Sequence, residues 1–241
     1  MEPLTLRPIG HMESDFSEKF GIPRQSGLVE DLRARVVLEP EYRNPDAFRG
    51  IEGFSHLWLI WEFSQARREG WSPTVRPPRL GGNERMGVFA TRSPFRPNPI
   101  GLSCVRLERV EWDAPDGPAL AVAGADLLNG SPIFDIKPYV PYADCRPEAL
   151  GGFAQRIAGP ALAVDFPPDL LARVPEDKRA ALTGVLAQDP RPRYQHDPER
   201  VYGLSFAGLE VKFRVAGTKL TVLSLENAKV SPSPIGMEPK M

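Results

Sequence analysis

Cysteine and histidine are scarce in this chain of 241 residues, which contains two of the first and three of the second. Cys104 and Cys145 are too few and too far apart for a disulfide framework or a zinc knuckle. His11, His56 and His196 show no metal-ligand spacing relative to one another or to a cysteine. We therefore expect two ordinary thiols and no metal site.

Long apolar runs are also absent. No stretch approaches the roughly 18 residues of a membrane-spanning helix, and the N-terminus lacks the basic start and apolar core of a secretory signal. The hydrophobic content of 41% and the charged content of 25% are those of an ordinary globular protein. We expect a cytoplasmic protein with one large domain, or with one domain and an appendage.

Three common catalytic signatures are missing as well. The chain has no Gly-x-Gly-x-x-Gly turn, no Gly-x-x-x-x-Gly-Lys-[Ser/Thr] phosphate loop and no Gly-x-Ser-x-Gly elbow. Together with the lack of spaced metal ligands, these absences argue against a doubly wound nucleotide enzyme, a serine hydrolase and a zinc enzyme.

The most informative stretch that is present spans residues 76–103. Although the whole chain has a net charge of −1, this stretch sets five arginines against the single acid Glu84. Prolines at positions 94, 97 and 99 fix φ and remove amide donors, so residues 93–100 cannot form an ordinary helix or central strand. Arginines on a stiff loop suit phosphate or carboxylate groups. A solvated surface connection is the alternative.

Short β-type segments separated by turns cover most of the chain. The apolar, aromatic run 54–63 predicts a central buried strand with His56 at its mouth. Further strands are predicted at 4–11, 35–38, 87–91, 102–112, 119–125, 201–206, 209–215 and 219–225. Residues 146–167 are typical of a linker, and 168–187 have helical character. We predict an all-β barrel or strongly bent sheet, followed by an α+β appendage.

An extended segment with several prolines, residues 131–142, carries an acid, a base and a phenol. Asp135 and Lys137 share one face of an extended chain, so an ion pair and a catalytic role both remain open. Residues 188–194 repeat the combination of arginine and proline. This repetition favours a large anionic partner over a small metabolite.

Several motifs together resemble the TsaA/TrmO family. They are Pro23-Arg-Gln25, Arg49-Gly50, Phe54-Ser-His-Leu-Trp58, Arg76-Pro-Pro-Arg-Leu-Gly-Gly-Asn83, the run from Gly87 to Leu102, Asp126-Leu-x-Asn-Gly130, Asp135-Ile-Lys-Pro-Tyr139 and Ala187-Gln-Asp-Pro-Arg-Pro-x-Tyr194. The most specific is Ala90-Thr-Arg-Ser-Pro-Phe-Arg-Pro-Asn-Pro-Ile-Gly101. Asn129 stands where relatives often carry aspartate.

The resemblance implies a homodimeric enzyme that uses S-adenosylmethionine to methylate N6 of the threonylcarbamoyl-modified adenosine at position 37 of tRNA. It implies a mainly β fold, with a small single-sheet β-barrel methyltransferase domain over 1–158 and a C-terminal α+β domain over 159–230. A disordered tail is expected over 231–241. Two alternatives remain: a non-catalytic RNA-binding barrel, and a methyltransferase for another RNA or a small-molecule acceptor.

The same resemblance assigns residues to roles. The cofactor, near the subunit interface, would contact Pro23, Arg24, Gln25, His56, Leu57, Arg92, Leu102, Asp126, Leu127, Leu128 and Asn129. Within this set the arginines can bind its carboxylate, Asp126 its ribose or amine, and the leucines at 57, 102 and 127 its base. Asp135 is our hypothetical base, with Tyr139 or water as rivals. The tRNA would contact Arg76, Arg79, Arg96, Asn98, Lys137, Arg191, Arg193 and Tyr194.

Overall fold

The computed structural model describes residues 4–77, 80, 84–156, 161–192, 195 and 197–228, and these contain strands and short helices. The strands are β1 (Gly10–Glu13), β2 (Arg33–Leu38), β3 (His56–Glu62), β4 (Thr74–Val75), β5 (Met86–Gly87), β6 (Ile100–Glu111), β7 (Ala119–Ala123), β8 (Pro132–Pro138), β9 (Ala163–Asp165), β10 (Tyr202–Phe206), β11 (Leu209–Ala216) and β12 (Lys219–Asn227). The α-helices are α1 (Pro141–Asp144), α2 (Phe153–Arg156), α3 (Pro168–Leu171) and α4 (Glu176–Ala187). Short 3-10 helices cover Pro40–Tyr42, Pro45–Phe48, Ile51–Gly53, Ser64–Ala66 and Val88–Ala90. None of the described helices has the length and apolar character needed to cross a membrane.

Six strands form a closed barrel in the order β1-β2-β7-β6-β3-β8, and every neighbouring pair is antiparallel. Closure depends on β1, in which Gly10 pairs with Leu38 of β2 and with Ile133 of β8. A Cβ atom at Gly10 would lie 2.3 Å from the carbonyl oxygen of Val37, so the strands can approach this closely only at a glycine. The predicted β-barrel is confirmed.

Strand β3 lies between β6 and β8 in the barrel, and both of its faces are at least partly buried, which explains its apolar sequence. Leu57, Leu59 and Trp61 point into the barrel core, whereas Trp58 and Ile60 face outward and are only partly buried. The strand predicted over 54–63 is therefore confirmed with slightly shorter bounds.

A second core lies between helix α4 and the sheet ordered β10-β11-β12-β9. Its members include Phe16, Val29 and Leu32, which precede the barrel strand β2 in the chain. The ring of Phe16 contacts that of Phe206 edge to face, with centroids 5.4 Å apart. The segment 14–32 is therefore packed against the C-terminal unit.

Three local predictions are wrong. The strand expected over 4–11 begins only at Gly10, and residues 4–9 form no regular secondary structure. The strand expected over 87–91 is a 3-10 helix after Gly87, because the amide and hydroxyl of Thr91 donate to the carbonyl of Val88 at 3.1 and 2.9 Å. The stretch expected to be a linker contains β9, which pairs in parallel with β12. The tail predicted over 231–241 lies outside the described residues.

Candidate active site

A cavity of about 1870 Å³ opens beside the start of β6, where loops 22–25, 91–99 and 126–128 meet. Pockets for one small molecule are typically about 300–1,000 Å³, so this cavity has room for a small ligand and part of a larger one. The predicted cofactor residues that line it are Pro23, Arg24, Gln25, Arg92, Leu102, Asp126 and Leu128. The predicted substrate residues that line it are Arg76, Arg96 and Asn98.

Hydrogen bonds tie the loop around Gln25 to its surroundings. The side-chain amide of Gln25 donates to the carbonyl of Arg24, and its oxygen accepts from Arg92. Ser26 Oγ accepts from the amide of Cys104 on β6 at 3.0 Å. Arg92 is therefore bonded to the loop that contains Gln25, although the two residues are far apart in sequence.

The acidic corner of the cavity is built from the barrel core outward. Trp61 Nε1 donates to Ser103 Oγ at 2.9 Å, and that hydroxyl donates to Asp126 Oδ1 at 2.5 Å. Burial raises the pKa of Asp126 to about 6, although the Ser103 hydrogen bond and the charge of Arg92 oppose the rise. Asp126 can therefore change its protonation state near neutral pH.

The loop after Asp126 is hydrogen-bonded to Ser14, the residue that follows β1. Ser14 Oγ donates to the carbonyl of Leu127 at 2.9 Å, and the amide of Ser14 donates to Asn129 Oδ1 at 3.1 Å. The Asn129 side chain therefore bonds to the backbone of Ser14 and does not line the cavity.

Three other predicted cofactor residues also lie away from the cavity wall. Leu57 and Leu127 are fully buried in the barrel core. His56 lies on the outer surface, where its ring is 6.2 Å from that of Tyr139. Of the leucines expected to hold the cofactor base, only Leu102 is in the cavity, with 51% of the residue exposed.

The predicted base lies on the outer face of the barrel, outside the cavity lining. Ile60 of β3 pairs with Leu102 on one side and with Asp135 on the other. Because neighbouring strands lie about 4.8 Å apart, Asp135 is about 10 Å from Leu102. Its carboxylate forms an ion pair with Lys137 at 2.8 Å. The interpretation of these two residues as an ion pair is therefore confirmed, and it does not exclude catalysis.

The rival base Tyr139 has a less favourable setting. Partial burial, followed by the neighbouring Cys145 and Asp144, raises the pKa of its phenol above the ordinary value. A raised pKa makes the phenolate rarer at neutral pH, so this setting disfavours Tyr139 as a proton acceptor.

An aromatic wall that the sequence reasoning missed consists of Trp71, Phe89, Phe95 and Arg68, all of which line the cavity. Trp71 and Phe89 are 56% and 75% exposed, with ring centroids 6.1 Å apart. The guanidinium of Arg68 lies 3.9 Å from the ring centroid of Phe95. The available signal was the presence of both phenylalanines within the arginine-rich stretch.

Positive charge predominates around the cavity. Its basic residues are Lys19, Arg24, Arg67, Arg68, Arg76, Arg85, Arg92 and Arg96, and its acidic residues are Glu62, Glu69 and Asp126. One cation is neutralised locally, since Arg67 Nη2 donates to Glu62 Oε2 at 2.8 Å. The remaining excess favours an anionic ligand. Among the described residues, no group of three or more His, Cys, Asp or Glu side chains could hold a metal ion.

Two other predicted substrate residues, Arg191 and Lys137, do not share this location. Arg191 is 8% exposed and is bonded to Asp189, and Lys137 is on the barrel exterior with Asp135. Arg79, Arg193 and Tyr194 lie outside the described residues.

Comparison with known proteins adds independent information. Residues 11–145 match the family profile described as tRNA-methyltransferase O N-terminal domain, and residues 159–228 match the TrmO C-terminal domain. An Escherichia coli (strain K12) protein named tRNA (adenine(37)-N6)-methyltransferase is 43% identical over 234 residues, covering 94% of this chain and 99% of that protein. An Eikenella corrodens protein of the same name is 49% identical over 163 residues, covering 67% and 91%.

The structural comparison agrees with these matches. The crystal structure of TrmO from Pseudomonas aeruginosa superposes with a TM-score of 0.76 at 35% identity, covering 94% of this chain and all of that one. Both family profiles and the fold therefore confirm the resemblance found in the sequence. The chain belongs to the TrmO family.

Proposed function

We propose that this protein transfers a methyl group from S-adenosylmethionine to N6 of the threonylcarbamoyl-modified adenosine at position 37 of tRNA. The observation that carries the proposal is the single cavity in which Gln25, Arg92, Leu102 and Asp126 lie beside the arginine-rich loop. The names of the similar proteins from Escherichia coli and Eikenella corrodens give N6-methylation of adenine 37 in tRNA, which supports the proposal.

The cavity residues suit the proposed cofactor. When bound, S-adenosylmethionine supplies a methyl group already activated on a sulfonium centre. Arg24 and Arg92 present guanidinium groups that can bind its carboxylate, and the Asp126 carboxylate can accept from ribose hydroxyls. Leu102 and Leu128 offer apolar surface for the adenine. With an activated donor, these side chains have mainly to align the reactants and exclude water.

The acceptor nitrogen loses a proton during the reaction, and we assign that proton to Asp135. The Asp135 carboxylate, paired with Lys137, is available on the outer barrel face. Its distance from Leu102 of about 10 Å, two strand spacings, is too long for direct action beside the cavity of the same subunit.

We therefore propose a homodimer in which one protomer supplies the cavity residues and its partner supplies Asp135. His56 and Tyr139, which share the outer barrel face with Asp135, then approach the cofactor from the partner. Two partly buried apolar side chains, Trp58 and Ile60, cross the same face. Such a surface suits an isologous contact.

The acceptor is RNA in this proposal because the cavity combines cations with exposed rings. Unpaired bases stack on aromatic side chains and on arginine planes, and both occur in the aromatic wall. Arg76 and Arg96 line the same cavity, where they can contact phosphates of a bound RNA. We place the enzyme in the cytoplasm with its tRNA substrate.

We further propose that the chain divides near residue 158 into the barrel domain and the C-terminal domain. The separate family profiles over 11–145 and 159–228 support this division. The packing of segment 14–32 in the second core means that the two domains share an interface in the structure.

The reaction is tested by incubating the protein with S-adenosylmethionine and bulk tRNA from cells that lack the activity. Nucleoside mass spectrometry should show the threonylcarbamoyl-adenosine gaining one methyl group. Binding of tRNA without methyl gain would identify a non-catalytic RNA-binding barrel instead. Methyl gain on a different nucleoside or on a small molecule would keep the chemistry and replace the acceptor.

The protonation of Asp126 should control cofactor affinity. Its pKa is about 6 in the free protein, and a hydroxyl donor binds the ionised carboxyl more strongly than the neutral one. Affinity for S-adenosylhomocysteine should be constant above about pH 7 and fall as the pH drops through about 6, by at most about tenfold per pH unit. Calorimetry in buffers of different ionisation enthalpy should show proton release near that pKa.

The matched control is Asp126→Asn, which keeps the shape of the side chain and cannot ionise. It should bind the same ligand more weakly and show no pH dependence near 6, the pKa of Asp126. A fall in affinity that persists in Asp126→Asn would assign the titration to another group.

The shared site is tested by mixing two inactive variants, Arg24→Ala and Asp135→Asn. If each site takes Arg24 from one protomer and Asp135 from its partner, a mixed dimer contains one intact site. Random reassociation should then restore about a quarter of the wild-type rate. No recovery would place both residues in one protomer, and near-normal turnover by Asp135→Asn alone would remove it as the base.

The arginines of the cavity should contribute to the salt dependence of tRNA binding. Arg76→Ala and Arg96→Ala should each reduce the slope of log affinity against log salt by about 0.7 to 1, the value of one phosphate contact. Arg49→Ala, which removes an exposed arginine away from the cavity, is the matched control. Unchanged slopes for the cavity variants would show that those arginines do not contact tRNA phosphates.

A further inference from the structure

The turn that follows helix α4 reaches loop 22–25 of the cavity from the C-terminal unit. Helix α4 is fixed in the second core by Leu182 and Leu186, which are fully buried. Asp189 follows the helix with a φ of +53°, a left-handed conformation that is uncommon outside glycine. Strain of this kind persists where the surrounding contacts determine it.

The carboxylate of Asp189 holds the Arg191 side chain through two parallel hydrogen bonds. Arg191 Nε donates to Oδ1 at 2.8 Å and Nη2 donates to Oδ2 at 3.0 Å. The main-chain amide of Arg191 also donates to Oδ1, at 3.3 Å. These bonds raise the pKa of Arg191, and the residue is buried. We call this bidentate pair the Asp189–Arg191 clamp.

The clamp determines where the main-chain carbonyl of Arg191 points. That carbonyl accepts a hydrogen bond from Arg24 Nη2 at 3.3 Å. On the cavity side, the carbonyl of Arg24 accepts from Gln25, which in turn accepts from Arg92. A continuous series of contacts therefore connects the end of helix α4 to the cavity arginines.

We propose that the Asp189–Arg191 clamp positions Arg24 for cofactor binding, so that the C-terminal unit is part of the cofactor site. The inference rests on the proposed function, because it takes Arg24 to bind the cofactor carboxylate. It gives Arg191 an internal role in place of the tRNA phosphate contact predicted from the sequence. Asp189 and Arg191 are positioning residues, since they act through Arg24.

The sharpest test is Asp189→Asn, because asparagine tolerates a left-handed backbone but lacks the charge that holds Arg191. In the full-length protein, the Kd for S-adenosylhomocysteine should rise about threefold to tenfold, as expected for loss of one orienting contact. The KM for S-adenosylmethionine should rise in parallel. The KM for tRNA and the midpoint of thermal unfolding should hardly change.

A second clamp variant and a control variant complete this test. Arg191→Lys keeps the charge but loses the planar fork, so it should weaken cofactor binding as Asp189→Asn does. Asp165→Asn breaks the 2.8 Å ion pair with Lys219 elsewhere in the same unit and should change none of these quantities. If both clamp variants unfolded at a markedly lower temperature, the pair would be a support for the fold and the proposal would be overturned.

A double-mutant cycle separates the clamp from the role of Arg24. In an Arg24→Ala background, Asp189→Asn should raise the Kd by less than about twofold more, because its effect passes through the deleted side chain. A full effect in that background, or none in the wild-type background, rejects the clamp while leaving the proposed function intact. Normal cofactor binding by Arg24→Ala rejects the role of Arg24 in the proposed function, and the clamp with it.

Discussion

An indole ring packed over a glycine fixes the acidic corner of the cavity. Trp61 of β3 is paired with Gly101 of β6, and a Cβ atom at position 101 would lie 2.3 Å from the ring. Because that space is free, Trp61 can reach Ser103, which in turn bonds to Asp126. Ser103 and Arg92 thereby limit the pKa rise caused by burial to about 6. Core packing thus influences the charge of a group that lines the cavity.

The chemistry attributed to this cavity needs little catalytic machinery. Methyl transfer from an activated sulfonium depends on alignment and on a dry site, and it requires neither a metal nor a protein nucleophile. The sequence contains no phosphate loop, nucleophile elbow or spaced metal ligands, and a methyl transfer of this kind does not need them. A chain with a net charge of −1 that concentrates cations along one cavity can attract RNA locally without being basic overall.

Residue types and their local patterns were enough to predict the barrel and the stiff loop. The direction in which each side chain points and the residue it bonds to became known only from the structure. The aromatic composition of β3 indicated a buried strand, and the prolines of residues 93–100 excluded a regular element there. Motif similarity, however, placed His56 and Leu57 in one role, although successive strand residues face opposite sides of the sheet. Arg191 resembled a surface cation, whereas the structure shows it buried and bonded to Asp189, and its carbonyl accepts from the distant Arg24.

The filled interior of the barrel leaves its rim as the place where a ligand can bind. Leu59, Ile133 and their neighbours leave the barrel packed, so a ligand has to bind at its rim, on loops with few contacts of their own. The loop around Gln25 lies between Phe16 and Val29, and both of these side chains are buried in the C-terminal core. The rim loop is therefore held at both ends by a hydrophobic core that the barrel does not provide. A change that loosens that core alters the geometry around Gln25 even when every barrel strand stays in place.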